Sequence, residues 1–152
     1  MPNTYTQIFI HLIFATKFRH RILKENFKES LQKYISGILK NKSQKLLAIN
    51  FHVNHIHIFF SYHPNIALSD LVREIKKEST TFINDNNFLK GKFYWQEGYS
   101  AFSYAKSQID VVINYVNNQE NHHKKKSFRE EYIEFLKKFE ISFEEKYLPE
   151  DV

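Results

Sequence analysis

The run from Thr4 to Ala15 is rich in Ile, Phe and Leu, with β-branched residues mixed in. It constrains the fold more than any other stretch. Such a run reads as a β-strand buried on both faces, and therefore central in a sheet. A basic connection, Lys17 to Arg21, follows it. From Leu23 to Lys40 the spacing turns helical: Leu23, Phe27, Leu31, Ile35 and Leu39 recur every fourth residue, with Ile38 beside them. Lys24, Lys28, Lys33 and Lys40 lie on the polar face.

Lys45 to Phe51 reads as a second strand and His55 to Tyr62 as a third, joined by a turn at His52-Val53-Asn54. Pro64 and Asn65 break the pattern. Ser69 is a suitable N-cap for a second helix. Leu71, Val72, Ile75, Phe82 and Ile83 supply its buried face, and Asn84 to Asn87 end it. Lys92 to Lys106 holds a strand or bent hairpin interrupted near Gly98. Ser107 with Asp110 has capping-box spacing before a helix with Ile109, Val112, Ile113 and Val116 as its stripe. Ser127 with Glu130 opens a last helix, whose apolar side has Tyr132, Phe135, Leu136 and Phe139.

The order β-α-β-β-α-β followed by two helices is the ferredoxin-like order. The expected fold is α+β: one antiparallel sheet, helices on one face, and additional C-terminal helices. In that topology the first and third strands lie in the middle, and those two are the most apolar here. The length of 152 residues fits a single domain over 1–152.

Composition narrows the chemistry. The formal net charge is +5 and the pI about 9.2, which favours polyanionic partners such as nucleic acid. With no cysteine, disulfides and thiolate metal sites are ruled out. Neither a signal peptide nor an apolar membrane-spanning run is visible, so the expectation is a soluble, cytoplasmic protein with no membrane partner.

Two constellations carry chemistry. His55 and His57 stand at i and i+2 of the third strand, on one face, with Cα atoms about 6.5–7 Å apart. Two imidazoles at that separation can converge on one metal ion. A His-X-His pair also arises by chance in a chain with eight histidines. Tyr115 and Gln119 are four apart on a helix and share its face. Tyr115 sits at the edge of the apolar stripe, where tyrosines commonly serve only as amphipathic boundary residues. His122 returns to nearly the same face. His122 to Lys126 could bind phosphate, or could be a helix C-terminus whose dipole favours cations.

Taken in order, these residues resemble a family. His55-Ile56-His57 followed by Tyr115-Val116-Asn117-Asn118-Gln119 is similar to the single-tyrosine HUH transposases. These are small transposases of insertion sequences that move as single-stranded DNA, with REP-associated tyrosine transposases as relatives. Tyr5 to Lys17 resembles the family's first strand, Leu68 to Val72 through Ile75-Lys76 its middle helix, and Trp95 to Tyr99 through Phe102-Ser103 its fourth-strand region. The resemblance runs from about Tyr5 to Tyr147. One departure is Asn54, where the family often has aspartate.

The resemblance implies Tyr115 as nucleophile and His55, His57 and Gln119 as ligands of Mg²⁺ or Mn²⁺. Asn54 and His122 stand beside them as groups able to orient the ligands. It implies a DNA transposase that cuts and rejoins single-stranded DNA through a 5′-phosphotyrosine intermediate. It also implies a homodimer and hairpin ends of an insertion sequence as substrate. Arg19, Arg21, Arg73, Lys76 and Lys77 are candidate phosphate contacts. Tyr94, Trp95, Tyr99 and Phe102 offer stacking surface for bases, although core packing is the commoner fate of such residues. Three other readings compete: a non-catalytic single-strand nucleic-acid binder, a metal nuclease using activated water with Tyr115 structural, and a domesticated endonuclease acting on host repeats.

Overall fold

Strand β1 (Phe9–Ala15) is buried at all seven positions because it has a strand on either side and helices over both faces. The protein was described from a computed structural model covering residues 3–17, 25–52, 54–89, 91–119 and 126–148. After β1 come α1 (Glu25–Asn41), β2 (Lys45–His52), β3 (His55–Ser61), α2 (Leu68–Asp85) and β4 (Ser100–Tyr104). A 3₁₀ turn (Lys106–Gln108), α3 (Ile109–Asn117), α4 (Phe128–Lys138) and a second 3₁₀ turn (Glu145–Tyr147) follow. The sheet is antiparallel, in the order β2-β3-β1-β4, so the two most apolar strands are central, as expected.

The two-residue period of the strands sorts side chains between layers. Ile10, Leu12 and Phe14 of β1, with Ile56, Ile58 and Phe60 of β3, pack against Phe27, Leu31 and Ile35 of α1 and Leu71, Val72 and Ile75 of α2. The alternate residues point the other way. Ile13 and Ala15 meet Phe128 and Leu136 of α4, and Phe9 and Phe59 meet Val112 and Val116 of α3. The ferredoxin-like helices therefore share one face, and the C-terminal helices cover the other. Each of the Val, Leu, Ile and Phe side chains among these contributes about 1.5–3 kcal/mol on burial.

Several boundaries differ from the sequence expectation. β1 starts at Phe9 and not at Thr4: Phe9 pairs with Ser61 and Tyr104 at the ends of β3 and β4, so the ladders run out there. Ser69 does not cap α2. The helix begins at Leu68, and Ala67 holds the cap position with extended backbone, its carbonyl accepting from Leu71 N–H at 2.9 Å. Ser107 lies inside the 3₁₀ turn and forms no capping box; Gln108 Oε1 instead accepts from Ala105 N–H at 3.3 Å. The Ser127 cap is present, with Glu130 N–H donating to its hydroxyl at 3.2 Å. The expected interruption near Gly98 is a bend with φ of +89°, between an isolated Thr16–Trp95 bridge and β4. Arg19, Arg21, Leu23, Val53 and His122 lie outside the described residues.

Candidate functional site

The face of the sheet under α3 and α4 carries three buried histidines. His55 and His57 alternate with Ile56, so they share this face while Ile56 enters the α1/α2 core. Their rings are 5.1 Å apart and nearly perpendicular. Each has its Nδ1 engaged. Asn54 Oδ1 lies 3.0 Å from Nδ1 of His55, and Nε2 of His11 lies 2.8 Å from Nδ1 of His57. An amide oxygen only accepts, so His55 carries its proton on Nδ1 and offers its Nε2 lone pair. Phe128 of α4 stacks on His55 at 3.7 Å between ring centres.

Helix α4 brings Glu131 to the pair. Its Oε1 is 3.2 Å from Nε2 of His57, and both side chains are almost fully enclosed. One ligand atom from each of His55, His57 and Glu131 falls within 4.8 Å of the others. Two imidazoles whose lone pairs can face a carboxylate in a dry site form a donor set suited to a divalent cation.

Tyr115 sits in the last turn of α3. That turn is fixed to the sheet by Val112 and Val116 and by Asn50 of β2, whose amide donates to the Val116 carbonyl at 2.9 Å. The Tyr115 ring is 5.9 Å from His57, 6.2 Å from His11 and 5.5 Å from Phe135. The phenol and the imidazoles thus meet within one chain. A cavity of about 250 Å³, lined by Tyr104, Val111, Val112, Tyr115, Glu131 and Phe135 among others, leads between α3 and α4 to the phenol. Burial raises the Tyr115 pKa well above 10. The Glu131 charge and its hydrogen bond raise it further, and a hydrogen bond from Gln119 opposes them. Without a nearby cation this tyrosine stays protonated.

Helix α3 ends at Asn117, so Gln119 lies beyond it and not on its surface. Gln119 is nonetheless buried beside Tyr115, with its amide donating to the Tyr115 carbonyl at 3.1 Å.

The basic candidates gather elsewhere. Arg73, Lys76 and Lys77 of α2 line a groove of about 610 Å³ with Tyr94, Gln96 and Tyr99. Arg73 pairs with Asp70. Lys76 donates to the Gln96 and Gly98 carbonyls at 2.8 and 2.6 Å. Burial lowers its pKa to about 8, against an opposing pull from Glu97. Tyr94 and Tyr99 are exposed in this groove. Trp95 and Phe102 are core residues, so these two do not offer the stacking surface considered for them.

Glu131 and His11 were missed by sequence reasoning. The signals were faint but present. Glu131 falls three residues after Phe128 and four before Phe135, on the buried side of α4. His11 is the one polar residue in an otherwise apolar strand.

The fold is thus a four-stranded antiparallel α+β sheet whose central strand β3 carries a histidine pair beside the Tyr115 ring of α3. Residues 4–119 match the family described as "Transposase IS200 like", and the chain belongs to that family of DNA transposases. It is 21% identical over 118 residues to the ISDra2 transposase TnpA of Deinococcus radiodurans, covering 74% of this chain and 84% of that one. Two solved structures share the fold. One is assigned as a transposase from D. radiodurans R1: TM-score 0.62, 22% identity, 77% of this chain and 94% of that chain covered. The other is a REP-associated tyrosine transposase bound to a REP hairpin: TM-score 0.59, 17% identity, 80% and 72% covered. Among the described residues no helix is long and apolar enough to cross a membrane.

Proposed function

We propose that this transposase cuts and rejoins single-stranded DNA through a covalent bond to Tyr115, with His55, His57 and Glu131 holding a divalent cation, Mg²⁺ or Mn²⁺. The observation that carries this reading is the Tyr115 ring 5.9 Å from His57 beside a cluster of three converging metal donors. Gln119, implied as a further ligand by the family resemblance, is buried beside Tyr115. A carboxylate in the set differs from a neutral amide, because it cancels part of the ion's charge. When bound, the cation polarises the scissile phosphate and stabilises charge developing in the displacement.

The chain's own residues do the rest. The Tyr115 oxygen attacks phosphorus, the P–O3′ bond breaks, and the departing 3′-oxygen takes up a proton equivalent to the one lost by the phenol, which leaves a 5′-phosphotyrosine and a free 3′-hydroxyl. The Glu131 carboxylate, hydrogen-bonded to the phenol, is placed to accept its proton. The phosphotyrosine link keeps the energy of the phosphodiester it replaced, so a later 3′-hydroxyl can reverse the step and join a new strand without ATP. Asn54 orients His55 through Nδ1.

Arg73, Lys76 and Lys77 supply phosphate contacts along the groove, and Tyr94 and Tyr99 supply stacking surface. The substrate in this reading is single-stranded DNA bearing hairpin ends of an insertion sequence. The hairpin bound by the REP-associated relative supports that choice. A homodimer is part of the same proposal, with the outer strands β2 and β4 the places where a second copy would add.

The test is incubation with single-stranded element ends and Mn²⁺, comparing wild type with Tyr115→Phe on a denaturing gel. A protein–DNA adduct in wild type only supports the reading. Cleavage retained by Tyr115→Phe overturns it in favour of a water-using nuclease.

A further inference from the structure

His11 is fully enclosed in the middle of β1, in a strand whose other six residues are apolar. A buried imidazole costs free energy unless its nitrogens find partners. In the β1–β3 ladder His11 faces Phe59 while Ile13 faces His57, which makes His11 and His57 diagonal neighbours on one face. Their rings stack at 5.0 Å, and Nε2 of His11 lies 2.8 Å from Nδ1 of His57. Nδ1 of His11 has no hydrogen-bond partner, so the bond to His57 is the only one this ring makes among the described residues.

We propose that His11 is a positioning residue that presents His57 to the metal ion through Nε2. The inference rests on the metal reading given above. One nitrogen of the His11–His57 bond must donate and the other accept. An imidazole that gives its Nε2 lone pair to an ion carries its proton on Nδ1. His57 Nδ1–H then donates to Nε2 of His11, and His11 keeps its own proton on Nδ1. Asn54 holds His55 in the same tautomer from the neighbouring turn. The two ligands are thus oriented alike by unrelated partners, a turn amide and a histidine on the adjacent strand. Packing holds His11 in place: Phe135 meets its ring at 5.4 Å, with Phe102 and Tyr104 at 6.4 and 6.3 Å.

The experiment uses the full chain without DNA. Mn²⁺ affinity is measured by electron paramagnetic resonance for wild type, His11→Phe, His11→Gln and His55→Ala, with melting temperatures recorded in EDTA. His11→Phe keeps a ring but removes the acceptor, and is expected to weaken Mn²⁺ binding about 10-fold. His11→Gln, whose amide oxygen can accept, is expected to recover most of that loss. Melting in EDTA should not track these differences. Wild-type affinity in a folded His11→Phe overturns the role of His11 alone. A wild type that binds no Mn²⁺, or binds it no better than His55→Ala, overturns the metal site and this inference with it. Long-range ¹⁵N–¹H spectra of the Mg²⁺-loaded wild type need no variant. A proton on Nδ1 of His57 supports the proposal, and a proton on Nε2 excludes it.

Discussion

Nε2 of His57 and Oε1 of Glu131 stand 3.2 Å apart in an enclosed site, although one belongs to the central strand β3 and the other to α4. Glu131 also lies beyond residue 119, where the match to the transposase family ends. The family portion of the chain carries the histidines and the tyrosine, and the helix after it closes the site with a carboxylate. Replacing Glu131 with Gln keeps the shape and removes the charge. The expected result is Mn²⁺ binding weaker by at least ~10-fold, read by titration of the DNA-free protein. Unchanged affinity would take Glu131 out of the ligand set.

Phe128 couples the stability of α4 to the site, because its ring lies flat on His55 at 3.7 Å and is almost wholly buried. Phe128→Ala is expected to lose about 3 kcal/mol in urea unfolding, as large-to-small changes in packed cores do. Mn²⁺ affinity should fall with it, since the helix that carries Glu131 loses its anchor. Loss of stability below about 1 kcal/mol would mean that α4 is held chiefly by other contacts.

Ser79 joins α2 to the 94–99 segment. Its hydroxyl accepts from the Trp95 indole N–H at 2.9 Å and donates to the Ile75 carbonyl at 2.6 Å. Ser79→Ala leaves that buried indole N–H without its partner, and about 1–2 kcal/mol of stability should be lost. Trp95 is the single tryptophan, so its fluorescence reports both the unfolding and the local change.

Lys76 should make nucleic-acid binding sensitive to pH. Burial lowers its pKa from 10.5 to about 8, so the charge is present below that value and lost above it. Affinity for single-stranded DNA, measured by anisotropy at fixed salt, is expected to fall between about pH 7 and 9. Lys76→Arg stays charged and should show a smaller fall. The stability effect has the opposite sign. The unfolded chain binds the extra proton between the two pKa values, so this residue's contribution to stability rises as pH climbs from about 8 toward 10.5. Equal pH dependence of binding in wild type and Lys76→Arg would remove Lys76 from the interface.

Much of the site was legible because short-range geometry places it. A strand alternates with a period of two, so His55 and His57 had to share a face wherever β3 lay. The burial of β1 on both sides followed from a run that is apolar but for His11, and its central place followed from that. Spacing also linked Tyr115 to Gln119, and they do meet, although α3 stops before Gln119 and the contact is made past the helix end. Caps were read less well. Ser69 and Ser107 have suitable chemistry, but where a helix starts depends on which carbonyl accepts the first turn's bond, and neighbouring residues took that place.

Local pattern therefore settled which strands are central, which residues face together, and that a phenol lies on a helix. It could not reveal that His11 touches His57 or that Glu131 completes the cluster. The first contact depends on the register between β1 and β3, and the second on how Phe128 and Leu136 dock α4 over the sheet. Register and docking arise from side chains packing across long loops of chain. No periodicity within a single segment encodes them.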